Sequence, residues 1–323
     1  MTSCLIIGAG LAGLTAAQSL QANGFEVTVL DKGRGVGGRM ATRRFDGGRV
    51  DHGAQFFTVR SDAFRSYVNQ WLEQGVAQEW SRGFPPHNND DGHPRYCGAE
   101  GMTTIAKYLA RGLAVHTHTE VSQIEQSERH WQATTAAGQT FTADSLIMTA
   151  PVPQSLTLLE AGQVLLPPQD QQALEAVTYN PCFAVLLTLN GESQIPEPGA
   201  VQIDGHPMRW IGDNKMKGIS ARTAVTIHAS AEFTHAHFEA ERTLVAQKLI
   251  DAAHEQGWFD KALVREVQVQ RWRYAQPIIY YPERCLLIKE PLPLVFAGDA
   301  FQEAKVEGAV LSGLTAAQEL ALL

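Results

Sequence analysis

The chain has 323 residues, 44% of them hydrophobic and 19% charged, with a formal net charge of −8 and a pI near 5.8. That size and balance describe a globular protein of about two domains, and the acidic field disfavours nucleic acid or an anionic membrane as main partner. Cys4, Cys97, Cys182 and Cys285 form no C-x-x-C pair, which excludes a zinc ribbon or a disulfide ladder and points to a reducing cytoplasm.

Residues 3–8, SCLIIG, read as a buried parallel strand, and residues 11–22 as a helix ended by Asn23 and Gly24. A second strand, EVTVL, closes at Asp31, completing a βαβ start. The apolar opening lacks the basic segment of a secretion signal, and nowhere do about eighteen apolar residues run together as a membrane span requires. Helical spacing over 62–74 puts Phe64, Tyr67, Val68 and Trp71 on one face. The stretch FPPHNNDDGHP, 84–94, is a loop by composition. An amphipathic helix, MTTIAKYLA, leads into short strands around VHTHTEV, HWQATTAAG and QTFTADSLIMTAP. CFAVLLTLN, AVTIHAS and REVQVQRWRYA then suggest an antiparallel sheet, interrupted by a helix over about 239–254. A buried strand, PLVFAGD, and a helix from about Gly308 end the chain.

Gly8, Gly10 and Gly13 stand between a strand and a helix, with Asp31 about twenty residues further on, the context of a dinucleotide-binding fingerprint. Gly8 makes the tight turn, Gly10 admits the pyrophosphate, and Gly13 lets helix and strand pack. The helix start offers unpaired N–H groups to phosphate, and Asp31 accepts from ribose hydroxyls. NAD and FAD both satisfy this pattern. The stretch from Gly37 to Thr58 favours FAD, because its ribityl chain and three-ring head need further places where bare backbone approaches. Gly37 and Gly38 supply one, with Arg39 beside them for a phosphate, and Gly53 and Ala54 another. At the far end, LVFAGD delivers Asp299 for a ribityl hydroxyl. The next helix start, near Glu307, Gly308 and Ala309, aims N–H groups at the flavin edge where reduction builds negative charge. A plain strand and helix completing the core is the alternative there.

The fingerprint, GRGVGGRMATRR, GDAF and VEGAVLSG resemble the flavin-containing amine oxidase superfamily. VDHGAQFFTVR, RYCGAEGMTTIAKYLA and RWRYAQP resemble, more narrowly, renalase and its bacterial relatives. The likeness covers most of the chain and thins between about Leu158 and Gln268. It implies an α/β fold: a Rossmann-type FAD-binding domain of p-hydroxybenzoate hydroxylase-like topology, assembled from 1–60, 97–155 and 285–323. A second α+β substrate domain, built on an antiparallel or mixed sheet, would comprise 61–96 and 156–284. It further implies noncovalent FAD, held at Ala12, Asp31, Lys32, Arg39, Gln55, Phe56, Asp299 and Val306. The nicotinamide pocket would be flanked by Phe57, Thr58, Val59, Arg60, Ser61, Tyr96, Cys97, Gly98 and Ala300. The implied reaction is oxidation of 2- or 6-dihydro isomers of NAD(P) to NAD(P)+, with dioxygen as second small-molecule partner and hydrogen peroxide as product.

From the residues alone, Phe57 either stacks on a planar ring or packs in the core, and Arg60 either pairs with the substrate or is a surface charge. Trp210, His228, Trp272 and Tyr274 sit on strands that could face a flavin, although an aromatic on a strand more often belongs to the core. His116 with His118 and His235 with His237 lack a Cys or carboxylate frame, so no metal is expected. No serine nucleophile elbow, P-loop or H-E-x-x-H is present. An amine oxidase or a desaturase on the same scaffold, and a protein that binds FAD without catalysis, are the alternatives to the dihydronicotinamide oxidase.

Overall fold

A computed structural model describes residues 2–86 and 93–323; most of the loop read at 84–94 lies outside them. Six strands form the first sheet, in the order Leu286–Ile288, Leu294–Phe296, Ser145–Met148, Ser3–Ile7, Glu26–Leu30, Ala114–His116. All neighbours are parallel except the first pair. Ser3–Ile7 is central and four of its five residues are buried, as a strand covered on both faces requires. Leu11–Ala22 and Val306–Ala321 pack on each other against this sheet. The close approach has a visible cause, since a Cβ on Gly313 would collide with the Ala12 carbonyl oxygen.

A three-stranded meander, Val121–Gln126, Trp131–Thr135 and Thr140–Ala143, extends the same unit. The second large sheet is antiparallel, in the order Ala200–Gln202, Met208–Asp213, Ala224–Ala229, Thr178–Leu189, Val264–Ile279. The helix Arg242–Glu255 covers one of its faces through Val245, Ala246, Leu249 and Ile250. This is the α/β architecture expected from the sequence, a Rossmann-like sheet joined to an antiparallel one.

The helix that follows residue 61 packs on the first unit. Asp62–Glu73, assigned with 61–96 to the substrate domain, buries Phe64, Val68 and Trp71 in the same core as Leu14, Ala17 and Val310 of the first unit. Its apolar stripe matches the face of the final helix, and that burial decides its position. The final helix also begins earlier than Gly308, at Val306.

Candidate functional site

The register of the parallel sheet sets the floor of the site. Ile7 lies level with Leu30 and Met148, and Met148 with Phe296. Four neighbouring strands therefore end at one edge, from which the chain continues into Gly8, Asp31, Thr149 and the pair Gly298 and Asp299. Open parallel sheets bind ligands at this carboxyl edge. Two helices also start here, Leu11–Ala22 behind Gly10 and Val306–Ala321 behind Lys305, and neither start carries a side-chain cap. Their first N–H groups have no intrahelical partner and, with the helix dipole, attract negative charge. Gly10, Leu11 and Ala12 from one, and Val306, Glu307 and Ala309 from the other, line a single cavity of about 580 Å³.

Bare backbone shapes this floor. A Cβ on Gly13 would collide with the Gly8 carbonyl oxygen, so the glycine lets the first helix pack onto its strand, while the space over Gly10 is open. Gly53 meets the Arg39 carbonyl just as closely, which brings residues 52–56 against the Gly37–Arg39 turn. Asp31 accepts hydrogen bonds from the Ala9 and Gly33 N–H groups at 2.7 and 2.6 Å. Arg39 and Asp299, expected to contact the cofactor separately, also bind each other: the guanidinium donates two bonds, 2.7 and 2.6 Å, to the carboxylate.

Residues 51–56 are pinned from the other side by the antiparallel sheet and the turn that follows Met208–Asp213. The Lys217 ammonium donates to the Asp51 carboxylate at 2.7 Å and to the Gln55 carbonyl at 2.5 Å, and both charged side chains are at most 1% exposed. Thr226 donates to the Asp51 carbonyl, and the Trp272 indole N–H to the His52 carbonyl, each at 2.8 Å. The Gln55 amide closes the turn by donating to the carbonyls of Asp51 and Gly53.

The roof comes from the antiparallel sheet and includes Gln202, Arg209, Trp210, His228, Trp272 and Gln276. His52 stacks on Trp272, with centroids 5.4 Å apart and planes 12° from parallel. Among the described residues, the atoms His52 Nδ1, His228 Nε2 and Trp210 Nε1 are buried without a hydrogen-bond partner, and all three residues line the cavity. Burial pushes both imidazoles down to about 3, helped at His52 by Arg43 and at His228 by Arg209, so they are neutral at physiological pH. A buried polar atom without a partner is costly, and a ligand with a polar edge would satisfy these three.

Of the cofactor residues expected from sequence, Gly10, Ala12, Arg39, Gln55, Phe56, Asp299, Val306 and Ala309 line the cavity. Gly8, Gly13, Asp31, Lys32, Gly38 and Gly308 stand outside its lining. Among the expected substrate residues, Phe57 and Thr58 line it, whereas Val59, Arg60, Ser61, Tyr96, Cys97, Gly98 and Ala300 do not. The Phe57–Tyr96 bridge draws Val59, Tyr96 and Cys97 into the first core, while Ala300 packs in the second and Arg60 is exposed. The Phe57 ring stacks on Tyr96 and meets Phe64 and Trp71 edge-on. Arg60 acts through its backbone: its N–H and that of Ser61 each donate to the Glu307 carboxylate at 2.8 Å, and the Ser61 hydroxyl caps the next helix. Trp210, His228 and Trp272, weighed as core residues, face the cavity instead, while Tyr274 packs on Tyr179. Sequence reasoning did not single out His52, Gln202, Arg209 or Gln276.

A carboxyl-edge floor with two open helix starts, glycines where a Cβ would intrude and a roof of polar aromatics fits a flavin dinucleotide. The class defined is an FAD-dependent oxidoreductase. Comparison with known proteins agrees. Residues 6–71 match the NAD(P)-binding Rossmann-like domain family, and residues 87–321 match the flavin containing amine oxidoreductase family. Renalase of Mus musculus is 25% identical over 98% of this chain and 97% of its own length. Polyamine oxidase 1 of Oryza sativa subsp. japonica is 32% identical over 42% of this chain and 25% of its own. A solved structure described as a candidate protoporphyrinogen oxidase of Exiguobacterium sp. 255-15 superposes with a TM-score of 0.74 over 99% of both chains at 14% identity, a likeness of fold. The chain belongs to the flavin containing amine oxidoreductase family, with FAD as its cofactor, and along nearly its whole length it is similar to renalase.

Proposed function

We propose that the protein is a cytoplasmic oxidase that returns 2- or 6-dihydro isomers of NAD(P) to NAD(P)+. When bound, FAD supplies the hydride acceptor and then passes two electrons to dioxygen, so that dihydro-NAD(P), O2 and one proton give NAD(P)+ and hydrogen peroxide. The observation that carries this reading is that, among the described residues, the cavity offers no available base. Both lining carboxylates are engaged, Asp299 by Arg39 and Glu307 by two backbone N–H groups. The two imidazoles, held near 3, take up a proton poorly. An ammonium substrate must lose a proton before oxidation. A dihydropyridine needs none removed, because loss of hydride leaves an aromatic cation.

The chain's own contribution is then orientation and exclusion of water. Trp210 Nε1–H can only donate and would hold a carboxamide oxygen, while His228 Nε2 takes either role with its tautomer. The His52 and Trp272 stack presents a flat apolar face to a planar ring. Neutral imidazoles do not repel the cationic product as protonated ones would. The similarity to renalase over the full chain supports the same choice of donor.

The test is aerobic turnover by the purified yellow protein. A dihydro isomer should yield NAD(P)+ and peroxide in equal amounts, while benzylamine and spermine yield none. Peroxide from an amine, with none from either isomer, would transfer the assignment to an amine oxidase.

A further inference from the structure

Three cations line the cavity, and they differ in their partners. Arg39 is bound to Asp299 and Lys305 to Glu303, the latter at 2.7 Å. Arg209 has no carboxylate within ion-pair distance among the described residues, and its guanidinium donates at 2.8 Å to the neutral side-chain oxygen of Gln276. Arg209 and Gln276 are exposed, whereas the adjacent Trp210 is 5% exposed. The pair therefore sits at the outer rim of the same pocket.

The backbone is bent to put it there. Neighbouring residues on a regular strand point to opposite faces, yet Arg209 and Trp210 both line the cavity. The register with Ala224–Ala229 slips between Met208 and Trp210, a bulge that turns Arg209 to the cavity side. A second slip in the pairing with Thr178–Leu189, between the Cys182–Trp272 and Asn180–Gln276 pairs, precedes Gln276, which lines the cavity together with its neighbour Ala275. Two irregularities on separate strands thus converge on one hydrogen bond. The positive charge also reaches inward, as Arg209 is among the causes that lower His228.

We propose that Arg209, steadied by Gln276, anchors the phosphate-bearing tail of the nicotinamide donor and so makes the site prefer nucleotide donors over the bare dihydropyridine. The inference rests on the dihydronicotinamide reading above. A guanidinium with no carboxylate partner is suited to phosphate, which it binds through two parallel hydrogen bonds. At the rim, it can hold the tail while the ring lies deeper, between the unpartnered indole and imidazole and the floor.

The experiment is anaerobic flavin reduction in wild type, Arg209→Gln and Arg209→Lys, with three donors. These are a 6-dihydro-NAD isomer, the matching mononucleotide, and an uncharged N-alkyl dihydronicotinamide. Wild type should show a dissociation constant for the phosphorylated donors at least about tenfold below that for the uncharged one, weakening as salt rises. Arg209→Gln should erase that difference and its salt dependence while the limiting rate with saturating dinucleotide stays within about twofold; Arg209→Lys should restore part of it. An equal loss for all three donors would mean a structural role and overturn the anchor alone, as would no change for any. If no donor reduces the wild-type flavin, the dihydronicotinamide reading falls and takes the anchor with it.

Discussion

The floor and the roof of the cavity are made of different materials. The floor is backbone: glycines, strand ends and two uncapped helix starts, all fixed by the parallel sheet. The roof is side chains on an antiparallel sheet whose register slips where they are needed. A group as constant as a dinucleotide can be met by main-chain geometry, whereas the choice of donor is set by side chains that can vary on an unchanged scaffold. The two halves meet at residues 51–56, which the floor grips through Gly53 and the roof through Lys217.

Perturbing each half should give different signatures. The largest effect is expected from the floor, where Gly13→Val drives a branched side chain into the Gly8 carbonyl. Protein recovered from this variant should lose most of its 450 nm absorbance per chain and bind added FAD at least about a hundredfold more weakly, roughly the penalty of blocking close backbone approach. Breaking the joint comes next. Lys217→Met leaves the buried Asp51 carboxylate without its cation and should cost about 3–5 kcal/mol in urea unfolding. Lys217→Met combined with Asp51→Leu should recover part of that loss, a comparison that separates an unpaired charge from poor packing.

The roof should appear in the pH dependence of stability. His52 and His228 have folded values near 3, below the ordinary 6.5, so the unfolded chain binds more protons between those limits. Stability is therefore full above about pH 6.5 and falls as the pH drops towards 3, by about 1.4 kcal/mol per pH unit for each histidine. His52→Asn should flatten this slope between pH 6 and 4.5, measured by urea unfolding at each pH. A slope unchanged in the variant would show that the imidazole is not held neutral by the fold. The smallest effect is expected at Arg60, whose contact with Glu307 runs through the backbone N–H. Arg60→Ala should shift stability by no more than about 0.5 kcal/mol and leave the flavin reduction rate unchanged.

The same contrast explains what could be read in the sequence. Gly8, Gly10, Gly13 and Asp31 announce the floor because backbone approach demands glycine at fixed spacing, and the second start at Val306 follows from LVFAGD before VEGAVLSG. The roof leaves no such trace. Trp210, His228 and Trp272 read as core because a strand's alternation says which residues share a face, not which face meets a cavity. Arg209 was beyond reach, since period-two alternation puts it opposite Trp210 and only the bulge brings the two together. His52 escaped notice inside a stretch whose glycines and arginines carried the stronger signal. Phe57, Tyr96 and Cys97 were expected at the nicotinamide pocket by family likeness; Phe57 does line the cavity, while its ring also meets Phe64 and Trp71, and the bridge from Phe57 holds Tyr96 and Cys97 against the first core, off the lining.

On the proposed function, one cavity holds a flavin below and a dihydronicotinamide above, with no base needed between them. Anaerobic mixing of the purified protein with one equivalent of a 2- or 6-dihydro-NAD(P) isomer tests it most directly. The 450 nm band should bleach in full, with one NAD(P)+ formed per flavin and a rate that does not vary between about pH 6 and 9. A flavin that stays oxidised with both isomers, or one that bleaches with amines at a rate rising with pH, would contradict it.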